Sequence, residues 1–144
     1  MRNGAGVLAV FLVLAMACGA APATAQPMPE PPPIPVPVPE VLAGTPALMF
    51  TDEPAIVDGH PMHPEAWSRT TDDRVVRLHF TTGTPECFGV TARVHETADD
   101  VVVDLRSGTL PQAVGRACIM IAVFGGLDVP LQNPLGARRV LSLA

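Results

Sequence analysis

The chain has 144 residues and a formal net charge of −5, and all nine of its basic residues are arginine. This length suits a single domain. An acidic chain of this kind lacks the clustered positive charge that phosphate recognition needs, so we expect neither nucleic acid nor an anionic lipid surface as a partner.

The first 25 residues have the organisation of a signal peptide. Arg2 supplies a short positive region, residues 5–17 form an uninterrupted apolar stretch, and small residues follow at positions 23–25. The apolar stretch is too short to span a bilayer comfortably, so an uncleaved anchor is the less favoured alternative. We expect cleavage to leave Gln26 as the new N-terminus and the protein to be secreted or located in the cell envelope.

Cys18 lies directly after this apolar stretch, where a bacterial lipoprotein carries its lipidated cysteine. The residues before it match such a site only in part, because Ala17 fits and Ala15 and Met16 fit poorly. If Cys18 is lipidated, the segment that follows becomes a tether from the membrane to the domain. If it is not, Cys18 is removed with the leader. Contact with a membrane is therefore expected only through the signal peptide or this lipid anchor.

Residues 26–40 contain eight prolines. Proline fixes φ and has no backbone N–H, so this segment can form neither a helix nor a central strand. The composition predicts an extended polyproline II arm that acts as a stiff linker. The alternative is a ligand for an aromatic-lined groove on another protein.

Residues 74–144 have the pattern of an antiparallel β domain, and residues 41–73 form its irregular N-terminal part. Three segments alternate between apolar and polar residues, as half-buried strands do, and these are residues 74–80, 90–95 and 101–106. Because short turns join them, we expect an antiparallel meander. His79 and His95 fall on the polar faces, so we expect both to face solvent and not to pair with each other.

Residues 117–124 differ, because they are apolar on both faces of a strand. This pattern predicts a central strand that is covered on both sides. A buried helix is the alternative, and the β-branched residues and flanking glycines favour the strand. Further segments have weaker signals, and we predict short or closing strands at residues 47–50, 127–131 and 139–143, with Pro130 favouring an edge position, and one helical turn at residues 64–68. A sheet with a fully apolar strand needs a second layer, so the predicted fold is a small antiparallel β-sandwich or a partly open barrel.

Two cysteines remain once the leader is removed, Cys87 and Cys118. An even number of cysteines in an exported chain predicts a disulfide. Closing a loop of this length stabilises a domain by about 3.5 kcal/mol in the chain-entropy model. The chain has no Cys-x-x-Cys motif, so we do not expect redox chemistry.

Several short motifs of the C-terminal half occur together in one known group of proteins. They are a cysteine after a Gly-containing turn (Cys87), Glu96-Thr97 before a Val-rich strand, Ala117-Cys118-Ile119, and residues 134–138. In these features residues 74–143 resemble uncharacterised secreted β-domain proteins of actinobacteria. That group has no assigned activity, so the resemblance implies an exported location and a β class but no reaction.

The densest polar cluster is Asp58, His60 and His63, which lie within six residues. Two imidazoles and a carboxylate are suitable metal ligands, and Met49 and Met62 would add soft ligands for copper. The sequence therefore offers a metal-binding loop as one hypothesis, and an ordinary Pro-rich turn as the alternative.

Catalytic signatures are absent from the sequence. None of its three serines lies in a Gly-x-Ser-x-Gly motif, and no Gly-rich phosphate loop precedes a helix. We therefore expect a non-catalytic exported module, without a cofactor, that binds a protein or a cell-wall component through strand edges or loops. The loops considered are residues 58–63 and residues 132–139, in which Arg138 and Arg139 are expected to be exposed. The alternative function is a small extracytoplasmic metal-binding protein that uses Asp58, His60 and His63.

Overall fold

The alternation of apolar and polar residues organises the chain into two β-sheets. The computed structural model describes residues 28–143, and its strands all belong to one compact unit that begins at Pro32. The elements of the described part are β1 Val36–Pro37, β2 Glu40–Val41, β3 Leu48–Phe50, β4 Val57–Pro61, β5 Ala66–Arg69, β6 Val75–Thr82, β7 Phe88–Glu96, β8 Asp100–Thr109, a short 3-10 helix Pro111–Ala113, β9 Val123–Pro130 and β10 Arg139–Ser142. The predicted signal peptide and Cys18 lie outside the described residues.

Sheet A is built around β8. One edge of β8 pairs with β7 along its length in an antiparallel hairpin. The other edge is divided between two strands, because β10 pairs in parallel with residues 100–103 and β4 pairs antiparallel with residues 106–109. β1 continues the sheet beyond β10.

Sheet B has the strand order β2-β5-β6-β9-β3. Its central strand, β6, is antiparallel to both β5 and β9, while β2 and β3 add short parallel pairs at the two edges. The predicted all-β class is confirmed, and of the two predicted arrangements the two-sheet sandwich is the one that forms. Both sheets are mixed, because each contains parallel as well as antiparallel pairs.

The core lies between the two sheets and contains the residues that the alternation places on the inner faces. Val76, Leu78 and Phe80 of β6 have no exposed surface. The same is true of the inward residues of β8, which are Val101, Val103 and Leu105. The predicted inward faces of these two strands are therefore confirmed. Burial of a side chain of this size stabilises a fold by about 1.5–3 kcal/mol.

The predicted meander is wrong, since β6 and β7 belong to different sheets. The edges of β6 pair with β5 and β9, and β7 pairs with β8 instead. Residues 83–87 therefore cross from one sheet to the other. A period of two specifies which face of a strand is buried and does not specify which strand lies beside it.

The predicted helical turn at residues 64–68 is also wrong, because β5 occupies most of it. β5 pairs with β6 on one edge and with β2 on the other, so sheet pairing outweighs the local preference that Pro64 gives for a helix start. Trp67 of this strand is buried in the core and its indole N–H donates to the Val38 carbonyl at 3.2 Å.

The last part of the predicted proline arm belongs to the sandwich. β1 pairs with β10, β2 pairs with β5, and the N–H of the buried Val38 between them donates to the Val140 carbonyl at 3.0 Å. Both strands lie at sheet edges, where a proline without an N–H is tolerated. The folded unit therefore begins before residue 41. The predicted edge position of the strand that contains Pro130 is wrong, because β9 lies between β6 and β3. Pro130 is tolerated there because β3 pairs only with residues 125–127 of β9.

Candidate binding site at one end of the sandwich

The predicted disulfide between Cys87 and Cys118 is present, with the two Cα atoms 6.1 Å apart. Cys87 is buried beside Leu110 and Ala113 in a small second core, against which Phe88 also packs. The Cys87 carbonyl accepts the N–H of Leu110 at 2.8 Å. The disulfide therefore holds the loop that contains Cys118 against the end of the β7–β8 hairpin.

The apolar loop, residues 119–122, follows this disulfide and is exposed. Ile119, Met120 and Ile121 have 66%, 89% and 55% of their surface open to solvent. The prediction of a central strand covered on both sides is therefore wrong for residues 117–122, and only Val123 and Phe124 enter β9.

The register of sheet B explains why β9 begins at Val123 and not at residue 117. Val123 pairs with Thr82, which is the last residue of β6. β3, on the other edge of β9, reaches back only to Gly125. Residues before Val123 have no neighbouring strand in the described part of the chain, and the disulfide draws Cys118 toward β7 instead.

A cavity of about 430 Å³ lies at this end of the sandwich. The apolar loop forms one wall, and Met62 and Phe88 add apolar surface. Thr82, Ser107 and His60 contribute polar groups. We call this space the end cavity, and it combines a mainly apolar wall with a few polar groups, as ligand sites generally do.

The polar groups come from both sheets. Thr82 continues the inward row of β6 after Phe80, and Ser107 continues the inward row of β8 after Leu105. Their hydroxyl oxygens are 2.9 Å apart, and the Ser107 hydroxyl also donates to the Gly89 carbonyl at 3.5 Å. Neither Thr82 nor Ser107 was singled out by sequence analysis. Continuing the two-residue spacing beyond Phe80 and Leu105, however, places both on the inner faces of their strands.

Of Asp58, His60 and His63, only His60 lines the end cavity, where Met62, which was considered as a soft copper ligand, also lies. His60 pairs with Ser107 across β4 and β8, next to an irregularity between Val57 and His60. Asp58, within that irregularity, has a positive φ of 54°, and both Asp58 and His63 are exposed. Within residues 28–143, no group of three or more His, Cys, Asp or Glu side chains is arranged to hold a metal ion. The metal hypothesis gains no support from this arrangement.

Arg138, predicted as an exposed binding residue, is largely buried, with 10% of its side chain exposed. Its guanidinium donates to Glu96 at 2.7 Å and to the carbonyls of Asn133 and Pro134 at 2.8 Å each. Arg138 therefore holds the loop of residues 132–138 in place. Arg139 is exposed as predicted and donates to Asp100 at 2.7 Å.

His79 is a second departure from the prediction, because it has no exposed surface. Its strand neighbours are the small residues Ala66 and Gly126, which leave room for the ring to lie close to the sheet. Phe124 stacks over the ring with centroids 5.7 Å apart, and Ser68 Oγ lies 2.9 Å from Nε2. Nδ1 has no hydrogen-bond partner among the described residues. His95 is exposed, as predicted.

The comparisons with known proteins identify no relative. No protein-family model matches the chain, no curated protein matches its sequence, and no solved structure matches its fold. Within the described residues, no helix has the length and apolar character needed to cross a membrane.

Proposed function

We propose that this protein is an exported, non-catalytic module, secreted or held in the cell envelope, that binds a protein or cell-wall partner through the end of the sandwich that contains the apolar loop. The observation that carries this proposal is the exposure of three consecutive large apolar side chains beside a cavity. Exposed apolar residues that lie together generally mark an interaction site. A disulfide fixes this loop, so less conformational entropy is lost on binding.

The partner is more readily bound through loops than through the outer edge of β7, because hydrogen-bonding groups on that edge are already occupied. The carboxylate of Asp52 accepts the N–H of Ala92 at 3.0 Å and the hydroxyl of Thr91 at 2.8 Å, along the outer edge of β7. The N–H of Glu53 donates to the Val90 carbonyl at 2.8 Å on the same edge. These groups occupy part of the ladder that an added strand would need.

A disulfide is compatible with an extracytoplasmic location, because such bonds persist in oxidising compartments. The intact mass of the protein recovered from its native host, measured with and without reductant, tests the proposal of export. We expect a species that starts at Gln26, or at a lipidated Cys18, and that gains the mass of two hydrogens on reduction. A reduced cytoplasmic species that retains residues 1–25 would contradict export.

Site-specific photo-crosslinking on native cells tests the binding surface. A photoreactive residue in place of Met120 should form adducts with the partner. The same residue in place of Val114, which is 56% exposed but is not among the residues that line the end cavity, is the matched control and should form few adducts. Equal labelling from both positions, or none from position 120, would contradict the proposed surface.

A further inference from the structure

We infer that the end cavity binds a small, uncharged, largely apolar molecule that carries one hydroxyl group. This inference rests on the proposed function only in placing the binding site at the same end of the sandwich. It assigns the site a chemical class of ligand, which the exposed loop alone does not.

The lining of the end cavity determines the apolar and uncharged character of this ligand. Met62, Phe88 and residues 119–122 supply apolar surface. No Asp, Glu, Lys or Arg side chain belongs to the part of the lining that the structure describes. A charged ligand would lose part of its hydration here with no carboxylate, ammonium or guanidinium group to pair with, and this is unfavourable. The exposed side chains of Ile119 and Ile121, in contrast, would be covered by an apolar ligand.

The two hydroxyl groups determine the hydrogen-bonding character of the ligand. The hydroxyl oxygens of Thr82 and Ser107 are 2.9 Å apart, and either group can donate the hydrogen bond between them. One of the two hydroxyl protons is used in this contact, so the pair offers a ligand more lone pairs than protons. A group that both donates and accepts a hydrogen bond, as an alcohol does, therefore fits this pair better than an ether or a ketone, which only accepts.

The volume of the end cavity, about 430 Å³, lies within the range of roughly 300–1,000 Å³ that is typical of small-molecule sites. The site is therefore large enough for a compact aromatic molecule or a folded medium-length alkyl chain. His60 lies at the polar side of the cavity, opposite Ser107 in the sheet, where it provides a second polar contact.

Fluorescence titration of the purified, oxidised protein with N-phenyl-1-naphthylamine tests this site. The probe is uncharged, largely apolar and has one N–H donor. We expect saturable enhancement of its fluorescence and displacement by 1-decanol. The methyl ether of decanol has the same chain but no donor, and we expect it to compete about tenfold more weakly, because one net hydrogen bond is lost. Absence of saturable binding, or equal competition by the alcohol and the ether, would overturn the inference.

Three variants locate the binding. Ile121→Asp places a charge in the apolar wall and should weaken probe binding at least about tenfold. Val114→Asp adds the same charge to an exposed position that is not among the lining residues and should leave binding unchanged. The double variant Thr82→Val, Ser107→Ala removes both hydroxyl groups and should retain probe binding but remove the preference for the alcohol over the ether. Unaltered binding in Ile121→Asp, or an unaltered preference in the double variant, would show that the ligands bind elsewhere.

This titration is independent of the proposed partner and of export, because it uses the purified protein. Failure of the titration together with specific crosslinks from position 120 would leave the proposed function intact and remove the small-molecule site. Saturable binding without crosslinks would support the small-molecule site and contradict the proposed protein or cell-wall partner.

Discussion

The ion pair of Glu96 and Arg138 shows how one residue organises a loop. Each side chain is only 10% exposed, and Glu96 also accepts the backbone N–H groups of Gln132 and Asn133. Burial alone would raise the pKa of Glu96, but the hydrogen bonds from Arg138 and from the two N–H groups outweigh it and hold the pKa below its ordinary value. The carboxylate is therefore charged at neutral pH, and the loop depends on that charge.

Replacement of Glu96 by Gln should destabilise the protein by about 3 kcal/mol, because removing one partner of a buried ion pair leaves the other charge uncompensated. The exposed pair of Glu40 and Arg69, about half open to solvent on both sides, is the matched control. Glu40→Gln should cost less than about 1 kcal/mol. Urea denaturation at neutral pH measures both values, and equal losses would contradict the structural role of Arg138.

The buried His79 makes stability depend on pH. Burial lowers the pKa of His79, the positive Arg77 lowers it further, and Asp128 opposes both effects. Because the folded pKa lies below the ordinary value of 6.5, the unfolded chain binds more protons in the interval between the two pKa values. The contribution of the neutral ring is therefore complete above pH 6.5 and is lost as the pH falls below it.

We expect the free energy of unfolding, measured by urea denaturation, to be lower near pH 5.5 than near pH 7.5, and this decrease to be smaller in His79→Gln. His95→Gln removes an exposed histidine of sheet A and should retain the full decrease. A decrease that is the same in His79→Gln and in the unsubstituted protein would assign the pH dependence to other groups.

At the scale of the element, the alternation of apolar residues predicted the buried faces of β6 and β8 correctly. A different signal, the uninterrupted apolar run, was misleading at residues 117–122, because such a run indicates that side chains avoid water but does not indicate where the neighbouring strand ends. β6 ends at Thr82, and this endpoint depends on the crossing of residues 83–87 between the sheets. The prediction that His79 faces solvent was wrong for a related reason. Its burial depends on Ala66, Gly126 and Phe124, which belong to other strands.

The disulfide is another element-scale feature that the sequence predicted, because only two cysteines, Cys87 and Cys118, follow residue 25. Replacing both Cys87 and Cys118 by Ala should destabilise the domain by about 3.5 kcal/mol, since the closed loop spans 31 residues. Reduction of the unsubstituted protein should lower the free energy of unfolding, measured by urea denaturation, by a similar amount. If the double variant is as stable as the oxidised protein, the disulfide does not contribute to the fold.

At the scale of the whole molecule, the sequence predicted the class of the fold but not the sheet to which each strand belongs. Parallel neighbours such as β10 and β8 are about 40 residues apart in sequence (Arg139 pairs with Asp100), and no local pattern records such a pairing. The start of the folded unit was missed for the same reason. Proline composition indicates that β1 and β2 cannot be central strands, and only their partners, β10 and β5, show that they are edge strands.

This difference in the domain boundary leads to a prediction about truncation. A chain that begins at residue 34 retains β1 and β2 and should be as stable as one that begins at Gln26. A chain that begins at residue 41 lacks β1 and Val38, whose side chain is 5% exposed and whose carbonyl accepts the indole N–H of Trp67. Loss of this buried valine alone should cost about 2 kcal/mol, and the lost pairing with β10 adds to it.

Urea denaturation of the three chains, followed by Trp67 fluorescence, measures the difference. Equal stability of all three would place residues 36–40 outside the folded unit, whereas a loss confined to the shortest chain would show that the end of the proline arm closes both sheets.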